Sequence, residues 1–458
     1  MVDARTNRGG REVTLRFGTD GVRGVANLDL TPELVVALGR AAARVIGVDR
    51  FVVGRDTRIS GPSLEAALTA GLTAEGTTVG TLGVVPTPAV AWTAATCGAA
   101  GAMISASHNR YPDNGIKLFS PAGRKLDDDV EAALEATLDV LVQGHREQVP
   151  SPTGDAVGTV EATPEHLLAY AESVERSIEG RDLDGMRLVV DCANGSATTI
   201  APHVLRRLGA RVSVLHAEPN GTNINEGCGS THPGDLQRAV IERGADAGLA
   251  FDGDADRVLA VDRNGAIVDG DQIIAVIAVD LHVLGRLRSN TVVVTVMSNL
   301  GFRLAMNECG ITVVETPVGD RFVLDALEAG DYALGGEQSG HVVFSDLATT
   351  GDGLLTAVQL LDVMKRAGKS LDELASVMTR LPQVLRNVRV TSSVAPDLDD
   401  RIAADIASAR AELGDHGRVL VRRSGTEPLV RVMVEASTAE MADAVAERLA
   451  EAVTAAAS

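Results

Sequence analysis

Residues 100–119 read AGAMISASHNRYPDNGIKLF, and the change of character along this stretch decides the fold. Ala100 to Ile104 are all small or apolar, the length and evenness of a fully buried strand. The run stops at Ser105-Ala106-Ser107-His108-Asn109, and a second short strand, Ile116 to Phe119, follows the polar turn. A buried strand that ends in a hydroxyl, an imidazole and an amide is how open α/β sheets present their chemistry. Ser107 is therefore the candidate nucleophile. Ser, Asn, Asp and Gly also make ordinary turns, so the rest of the chain has to decide.

Working outward, the same order of elements recurs. Upstream, Thr31-Pro32-Glu33 opens a helix as N-cap, first residue and acidic first turn. A strand at Phe51 to Gly54, a helix from Ser63 to Glu75, a strand at Thr78 to Gly83 and a helix after Pro88 lead into Ala100. Downstream, an acidic helix (Asp127 to Val142) is followed by a Pro/Gly/Ser/Thr-rich segment, Val149 to Gly158, that reads as a linker. A second round then runs strand Leu188 to Asp191, helix Ile200 to Leu208, strand Val212 to Leu215, helix Leu236 to Arg243 and strand Ala247 to Phe251. It ends in DGDADR. The third runs strand Thr291 to Thr295, helix Leu300 to Cys309, strand Ile311 to Glu315, helix Asp320 to Glu328 and strand Tyr332 to Leu334, ending in GGEQSGH. From about Ser370 the order becomes helix, strand (Val388 to Thr391), helix (Leu398 to Leu413), two strands (Arg418 to Arg422, Leu429 to Glu435) and an Ala-rich helix. The expected fold is α/β: three similar α/β domains with mixed sheets sandwiched by helices, plus a smaller α+β C-terminal domain. The divisions fall at 1–152, 153–256, 257–369 and 370–458.

Composition agrees with this size. A chain of 458 residues exceeds one ordinary core. Apolar residues make up 45% and aromatic ones 2%, so its cores are built from Ala, Val, Leu and Ile. The formal net charge of −20 argues against nucleic acid and anionic membranes as partners, since both require a basic surface. Cys97, Cys192, Cys228 and Cys309 have no metal-ligand spacing and read as reduced thiols in a cytoplasmic protein. The polar, basic start, Met1 to Arg16, has no apolar core of a secretory signal, and the longest apolar run, Ile273 to Leu284, is too short to span a bilayer.

Four further loops carry chemistry. Asp252, Asp254 and Asp256 alternate in FDGDADR, and closely set carboxylates without Cys or His suit Mg²⁺ or another hard divalent ion. An EF-hand is excluded because Arg257 and Arg263 stand where its Gly and bidentate Glu belong. Arg257 is a neutralising neighbour or a phosphate contact. In GEQSGH, Glu337, Ser339 and His341 offer the paired donors and acceptors that sugar hydroxyls need, between glycines that admit a ligand. In RRSGTEP, Arg422, Ser424, Gly425 and Thr426 combine a guanidinium, two hydroxyls and a free backbone amide, a phosphate cradle. FGTDGVRG (17–24) puts Arg23 on a glycine-flanked loop able to approach an anion, with spacing unlike a dinucleotide fingerprint. Each motif alone is also an ordinary polar turn. Together they describe phosphoryl transfer on a sugar phosphate.

SASHN, DGDADR, GEQSGH and RxSGTEP, in this order over nearly the whole chain, resemble the α-D-phosphohexomutase superfamily. FGTDGVRG, ISASHN, VGDR (318–321) and GEQSGH resemble its bacterial amino-sugar branch. The resemblance implies four domains around a central cleft, the fourth closing over the substrate. It implies that Ser107 is carried as phosphoserine and holds Mg²⁺ with Asp252, Asp254 and Asp256, and that Glu337 and Ser339 read sugar hydroxyls. Arg422, Ser424, Gly425 and Thr426 would grip the nonreacting phosphate, with Lys117 and His108 in acid/base roles. One departure stands out: the family usually has Pro after SASHN, and here Arg110 replaces it, adding a cation and removing a fixed φ. The implied partner is a small-molecule sugar phosphate. Glucosamine, glucose and mannose phosphates all stay open, as do a noncatalytic sugar-phosphate binder, a serine-dependent phosphatase and a homodimeric assembly.

Overall fold

The computed structural model describes residues 21–142, 151–390, 398–423 and 429–457. The first unit comprises β1 (Val22–Val25), α1 (Pro32–Ile46), β2 (Arg50–Arg55), α2 (Gly61–Thr73), β3 (Thr78–Val84), α3 (Thr87–Cys97), β4 (Ala100–Ile104), β5 (Asp113–Phe119), α4 (Asp128–Val142) and β6 (Val160–Ala162). Thr31 caps α1 by accepting from the Leu34 N–H, and Gly47 ends it in the left-handed conformation at φ 66°. The helices α1 and α2 cross closely because both carry glycine at the crossing. A Cβ on Gly39 would lie 2.4 Å from the Leu68 carbonyl, and one on Gly71 2.2 Å from that of Val36.

The second unit contains α5 (Glu165–Arg176), β7 (Arg187–Asp191), α6 (Ala197–Arg207), β8 (Arg211–Leu215), α7 (Gly234–Arg243), β9 (Ala247–Phe251), β10 (Val258–Asp262) and β11 (Ile267–Val268). The third contains α8 (Gly270–Val283), β12 (Thr291–Thr295), α9 (Leu300–Glu308), β13 (Thr312–Thr316), α10 (Asp320–Ala329), β14 (Leu334–Gly336), β15 (Val342–Phe344), α11 (Gly353–Ala367) and α12 (Leu371–Ala375). The last unit is β16 (Gln383–Arg389), α13 (Leu398–Arg401), α14 (Ala403–Leu413), β17 (Arg418–Arg423), β18 (Leu429–Glu435) and α15 (Ala439–Ala457).

The repeat is exact at the level of sheet order. Neighbouring strands run β3-β2-β4-β5, β8-β7-β9-β10 and β13-β12-β14-β15 in the three sheets. In each, three parallel strands are followed by one antiparallel return strand beside the third. Strands β4, β9 and β12 are buried along their whole length, which is why they read as unbroken apolar runs. The connection from third strand to return strand is the same topological position in all three units. It carries SASHN, DGDADR and EQSGH in turn.

Three readings change. Arg23 lies on β1, paired antiparallel with β5, and not on a loop. Val22–Val25 is only four residues long and follows glycine, so it has no periodic signature. Beyond the expected linker, β6 hydrogen-bonds to β3, and β10 and β11 continue the second sheet, so sheet membership runs past the divisions expected after residues 152 and 256. The strand expected at Tyr332 to Leu334 is Leu334–Gly336. The fourth unit packs its three-stranded antiparallel sheet on α15 around a separate apolar core. It is pinned to the third unit by Glu435, whose carboxylate accepts from the Leu300 N–H at 3.0 Å and from Arg418 Nε at 2.9 Å.

Candidate active site

Ser107 sits at the tip of the β4–β5 connection with φ 51°, a left-handed conformation costly for a residue with a Cβ. Its N–H donates to Ser105 Oγ at 2.9 Å, and its own Oγ donates to Asp252 Oδ2 at 2.6 Å. His108 Nδ1 lies 3.3 Å from the same hydroxyl. Burial pulls the His108 pKa down, and the charges of Arg257 and Arg23 add to this. Arg23, on β1, therefore reaches the site as a nearby positive charge.

The second connection brings Asp252, Asp254 and Asp256 together, with one ligand atom from each within 4.8 Å of the others and all three residues buried. Lys117, on β5, donates to Asp254 Oδ2 at 2.8 Å and to Asp256 Oδ2 at 3.0 Å. Thr87, which opens α3, donates to Asp254 Oδ2 at 2.6 Å. Burial, with repulsion from Asp256 and Asp254, raises the Asp252 pKa well above the usual range. Burial also works against ionisation of Asp256, but Lys117, His341 and Arg257 outweigh it and hold that carboxyl well below. The fit to a cation is visible in what the protein leaves unsatisfied: Oδ1 of Asp254 and Oδ1 of Asp256 are buried and accept no hydrogen bond from the described residues. An all-oxygen donor set of this kind suits a hard divalent metal.

The third connection closes on the second. Val258 N–H donates to the Gly340 carbonyl at 3.1 Å, which sets the two loops edge to edge. Gly340 has φ 91°, and a Cβ there would strike the Val258 carbonyl at 2.2 Å. Glu337 Oε1 accepts from the Gly319 N–H at 3.2 Å and its Oε2 from the Ser339 hydroxyl at 3.3 Å. His341 turns inward. It is buried, accepts from the Gly351 N–H at 3.2 Å, and lies 3.8 Å from Asp256 and 3.7 Å from Asp320, so its contacts are to this chain's own backbone and carboxylates. Arg257 links loops: its Nε is 3.6 Å from Asp256 and its Nη1 3.3 Å from His108 Nδ1. Arg321 of the VGDR motif bonds to Asp128 and Glu131 on α4, tying the third unit to the first. Arg422 stands on β17 opposite Arg431, and burial together with that neighbouring charge lowers its pKa. Ser424, Gly425 and Thr426 lie outside the described residues.

Sequence reasoning missed Thr87, Asp56, Arg58 and Asn225, all of which touch these loops. For the Asp56–Arg58 pair a signal exists: opposite charges two residues apart, beginning three residues past the apolar run Phe51-Val52-Val53.

The chain matches the phosphoglucomutase/phosphomannomutase family segment by segment: α/β/α domain I at residues 14–142, domain II at 166–265, domain III at 269–381 and the C-terminal domain at 385–452. It belongs to this family, the α-D-phosphohexomutases, and is an isomerase that works by phosphoryl transfer. Among its members it is most like the phosphoglucosamine mutases. It is 54% identical to the phosphoglucosamine mutase of Thermobifida fusca over 449 residues, 96% of this chain and 98% of the relative. With that of Frankia casuarinae it shares 55% over 450 residues, 95% and 97% of the two chains. Of solved structures, a phosphoglucomutase/phosphomannomutase family protein from Burkholderia thailandensis superposes with a TM-score of 0.78 at 26% identity, covering 97% of both chains. An Aspergillus fumigatus N-acetylphosphoglucosamine mutase, solved with GlcNAc-6P and magnesium, shares the fold at 20% identity, with a TM-score of 0.70 over 97% and 96% of the chains.

Proposed function

We propose that this chain interconverts glucosamine 6-phosphate and glucosamine 1-phosphate through a phosphoserine at Ser107. The observation that carries the reading is the 2.6 Å contact between Ser107 Oγ and Asp252, which sets the hydroxyl of one unit against the carboxylate cluster of the next. The choice of amino sugar is supported by the phosphoglucosamine mutase relatives at 54% and 55% identity.

In the forward direction the free hydroxyl of the bound monophosphate attacks phosphoserine. The Ser107 O–P bond breaks as the sugar O–P bond forms, giving a bisphosphate. That intermediate turns end for end and returns its other phosphoryl group to Ser107. Asp252, Asp254 and Asp256 would hold Mg²⁺ with a phosphate oxygen on Ser107, and the ion when bound supplies positive charge against the transferring group. We assign the sugar hydroxyl proton to His108 and Lys117: the imidazole, 3.3 Å from Ser107 Oγ, would take it, and the ammonium, paired with Asp254 and Asp256, would supply one in the reverse sense. Arg23 and Arg257 add fixed positive charge beside the reacting phosphate. Glu337 and Ser339 read the sugar hydroxyls, and Arg422, with Ser424, Gly425 and Thr426, holds the phosphate that is not reacting, because a guanidinium recognises the group whichever carbon bears it.

No helix among the described residues is long and apolar enough to cross a membrane. With a net charge of −20, the reading is of a cytoplasmic enzyme whose partner is a small sugar phosphate. The test is turnover of glucosamine, glucose and mannose 6-phosphates with and without Mg²⁺, alongside intact-mass detection of phosphate on Ser107. Highest kcat/KM on the glucosamine compound, lost without the metal, supports the proposal. Preference for glucose or mannose phosphate, or full turnover by Ser107→Ala, overturns it.

A further inference from the structure

Arg58 is fully buried, and so is Asp56, with which it forms an ion pair at 2.8 Å. A buried pair is weak evidence of stabilisation, because removing both charges from water offsets most of their attraction. What the arginine does with its donors is more informative. A guanidinium has five N–H groups; here one goes to Asp56 and the other four all go to the nucleophile loop. Nε donates to Asp56, Nη1 to the carbonyls of Arg110 (2.5 Å) and Asp113 (2.9 Å), and Nη2 to those of Ser107 (3.0 Å) and Asn109 (2.8 Å). The arginine thus gathers four carbonyls of the nucleophile loop around a single planar group.

Asp56 acts on the same loop from the other side. Its Oδ2 accepts the Ser105 hydroxyl at 2.6 Å, which directs the Ser105 lone pair at the Ser107 N–H, 2.9 Å away. The second unit adds Asn225, a buried residue whose Nδ2 donates to the carbonyls of Ser107 (2.8 Å) and Asn109 (3.0 Å). The N–H and C=O of Ser107 are therefore both fixed, the first through Asp56 and Ser105, the second by Arg58 and Asn225. This is the residue held at φ 51°. A left-handed backbone at a residue with a Cβ persists only where its surroundings over-determine it.

We propose that Asp56, Arg58, Ser105 and Asn225 form a positioning assembly that clamps the Ser107 peptide in its left-handed conformation and so aims Oγ at Asp252 and the incoming sugar phosphate. These are positioning residues; none reaches the reacting atoms. The assembly also holds the loop at Arg110: the Arg110 carbonyl is bound by Arg58, while its side chain lies at the surface, paired with Glu226. Because Asn225 comes from the neighbouring unit, the geometry of the nucleophile depends on how the first two units are docked.

The inference rests on Ser107 being the phosphoryl carrier, so Ser107→Ala is the reference. The test compares Ser105→Ala, Ser105→Thr and Asn225→Ala by steady-state kinetics on a hexose phosphate and by thermal melting. A misplacement of about 1 Å in a reacting group lowers rate by about 100-fold, so Ser105→Ala and Asn225→Ala are expected to lose roughly 10- to 100-fold in kcat with KM changed less than about threefold. Melting within about 5 °C of the parent separates this from a loss of fold. Ser105→Thr, which keeps the hydroxyl, is expected to recover most of the kcat. Arg58→Lys keeps the charge but not the fork, and where it folds it is expected to behave like the alanine variants. Both alanine variants folding with unchanged kcat, while Ser107→Ala is inactive, overturns the positioning assembly alone. A fully active Ser107→Ala overturns the nucleophile itself.

Discussion

Nζ of Lys117 donates to Oδ2 of Asp254 across 2.8 Å, joining the return strand of the first unit to the acidic loop of the second, 137 residues away. The ammonium also reaches Asp256, so it already neutralises part of the carboxylate cluster that a divalent metal would share. Replacing it, as in Lys117→Met, leaves three buried carboxylates with one less counter-charge. The expected result is a metal-free protein of lower melting temperature and a larger rise in melting temperature on adding Mg²⁺ than in the parent. Turnover is expected to fall by roughly 100-fold or more, the scale of a lost proton-transfer group. An unchanged response to Mg²⁺ would mean that the lysine does not compete with the ion.

Gly253, between two of the carboxylates, has no room for a side chain. A Cβ there would lie 2.6 Å from the Ser107 carbonyl, 2.7 Å from Asn225 Nδ2 and 2.8 Å from Ile224 Cδ1. Gly253→Ala should therefore push the nucleophile loop away from the metal loop. We expect about 1–3 kcal/mol of destabilisation in urea unfolding from the overpacking. The kcat of the remaining folded enzyme should fall by about 10-fold or more, because loop and carboxylates move apart. A variant with parental kcat would show that the close approach is not needed for transfer.

The parts of this architecture that were legible in sequence are those with strong local signatures. Ala247–Phe251 and Thr291–Thr295 were readable to the residue because central parallel strands, buried on both faces, are continuous apolar runs. The return strands of the second and third units, Val258–Asp262 and Val342–Phe344, are hard to tell in sequence from the motif loops they follow, since short runs beside Gly and Asp have no period of their own. In Gln383–Arg389 the sequence shows a strand only from Val388, because Gln383, Arg386, Asn387 and Arg389 interrupt its apolar pattern. In the site, Ser107 and the three aspartates announced themselves by chemistry. Arg58 and Asn225 did not. Their partners are backbone carbonyls, and Ser107 lies 49 residues from the first and 118 from the second, distances no spacing rule connects.

Glu337 is the carboxylate expected to meet the sugar, and it is held ready by two donors, the Gly319 N–H at 3.2 Å and the Ser339 hydroxyl at 3.3 Å. Glu337→Gln removes its charge with little change of shape. A hydrogen bond to a charged group contributes about 1.5–3 kcal/mol, so KM for the sugar phosphate is expected to rise by roughly 10-fold or more while kcat changes less. Steady-state kinetics decide it: an unchanged KM with reduced kcat would place Glu337 in the chemical step and not in sugar recognition.

Asp352 gives the fold a pH dependence of definite sign. It caps α11 by accepting from the Leu355 N–H at 2.9 Å, and it accepts the Tyr170 hydroxyl at 2.8 Å, joining the second unit to the third. Burial pushes its pKa up to about 6, against the Leu355 N–H and Tyr170 hydroxyl bonds that favour the carboxylate. The folded pKa is thus above the value of about 4 for an unfolded aspartate, so the native state binds the proton more tightly. The stabilisation is complete below about pH 4 and is lost as pH rises through about 6. Asp352→Asn is neutral throughout and still caps the helix with its amide oxygen. The stability of the parent relative to this variant is therefore expected to fall by roughly 3 kcal/mol between about pH 4 and pH 7. Urea unfolding of both proteins across that range measures it. Parallel profiles would show that Asp352 ionises in the folded protein at an ordinary carboxylate pH, with the Tyr170 hydroxyl and the helix N-terminus offsetting the whole cost of burial.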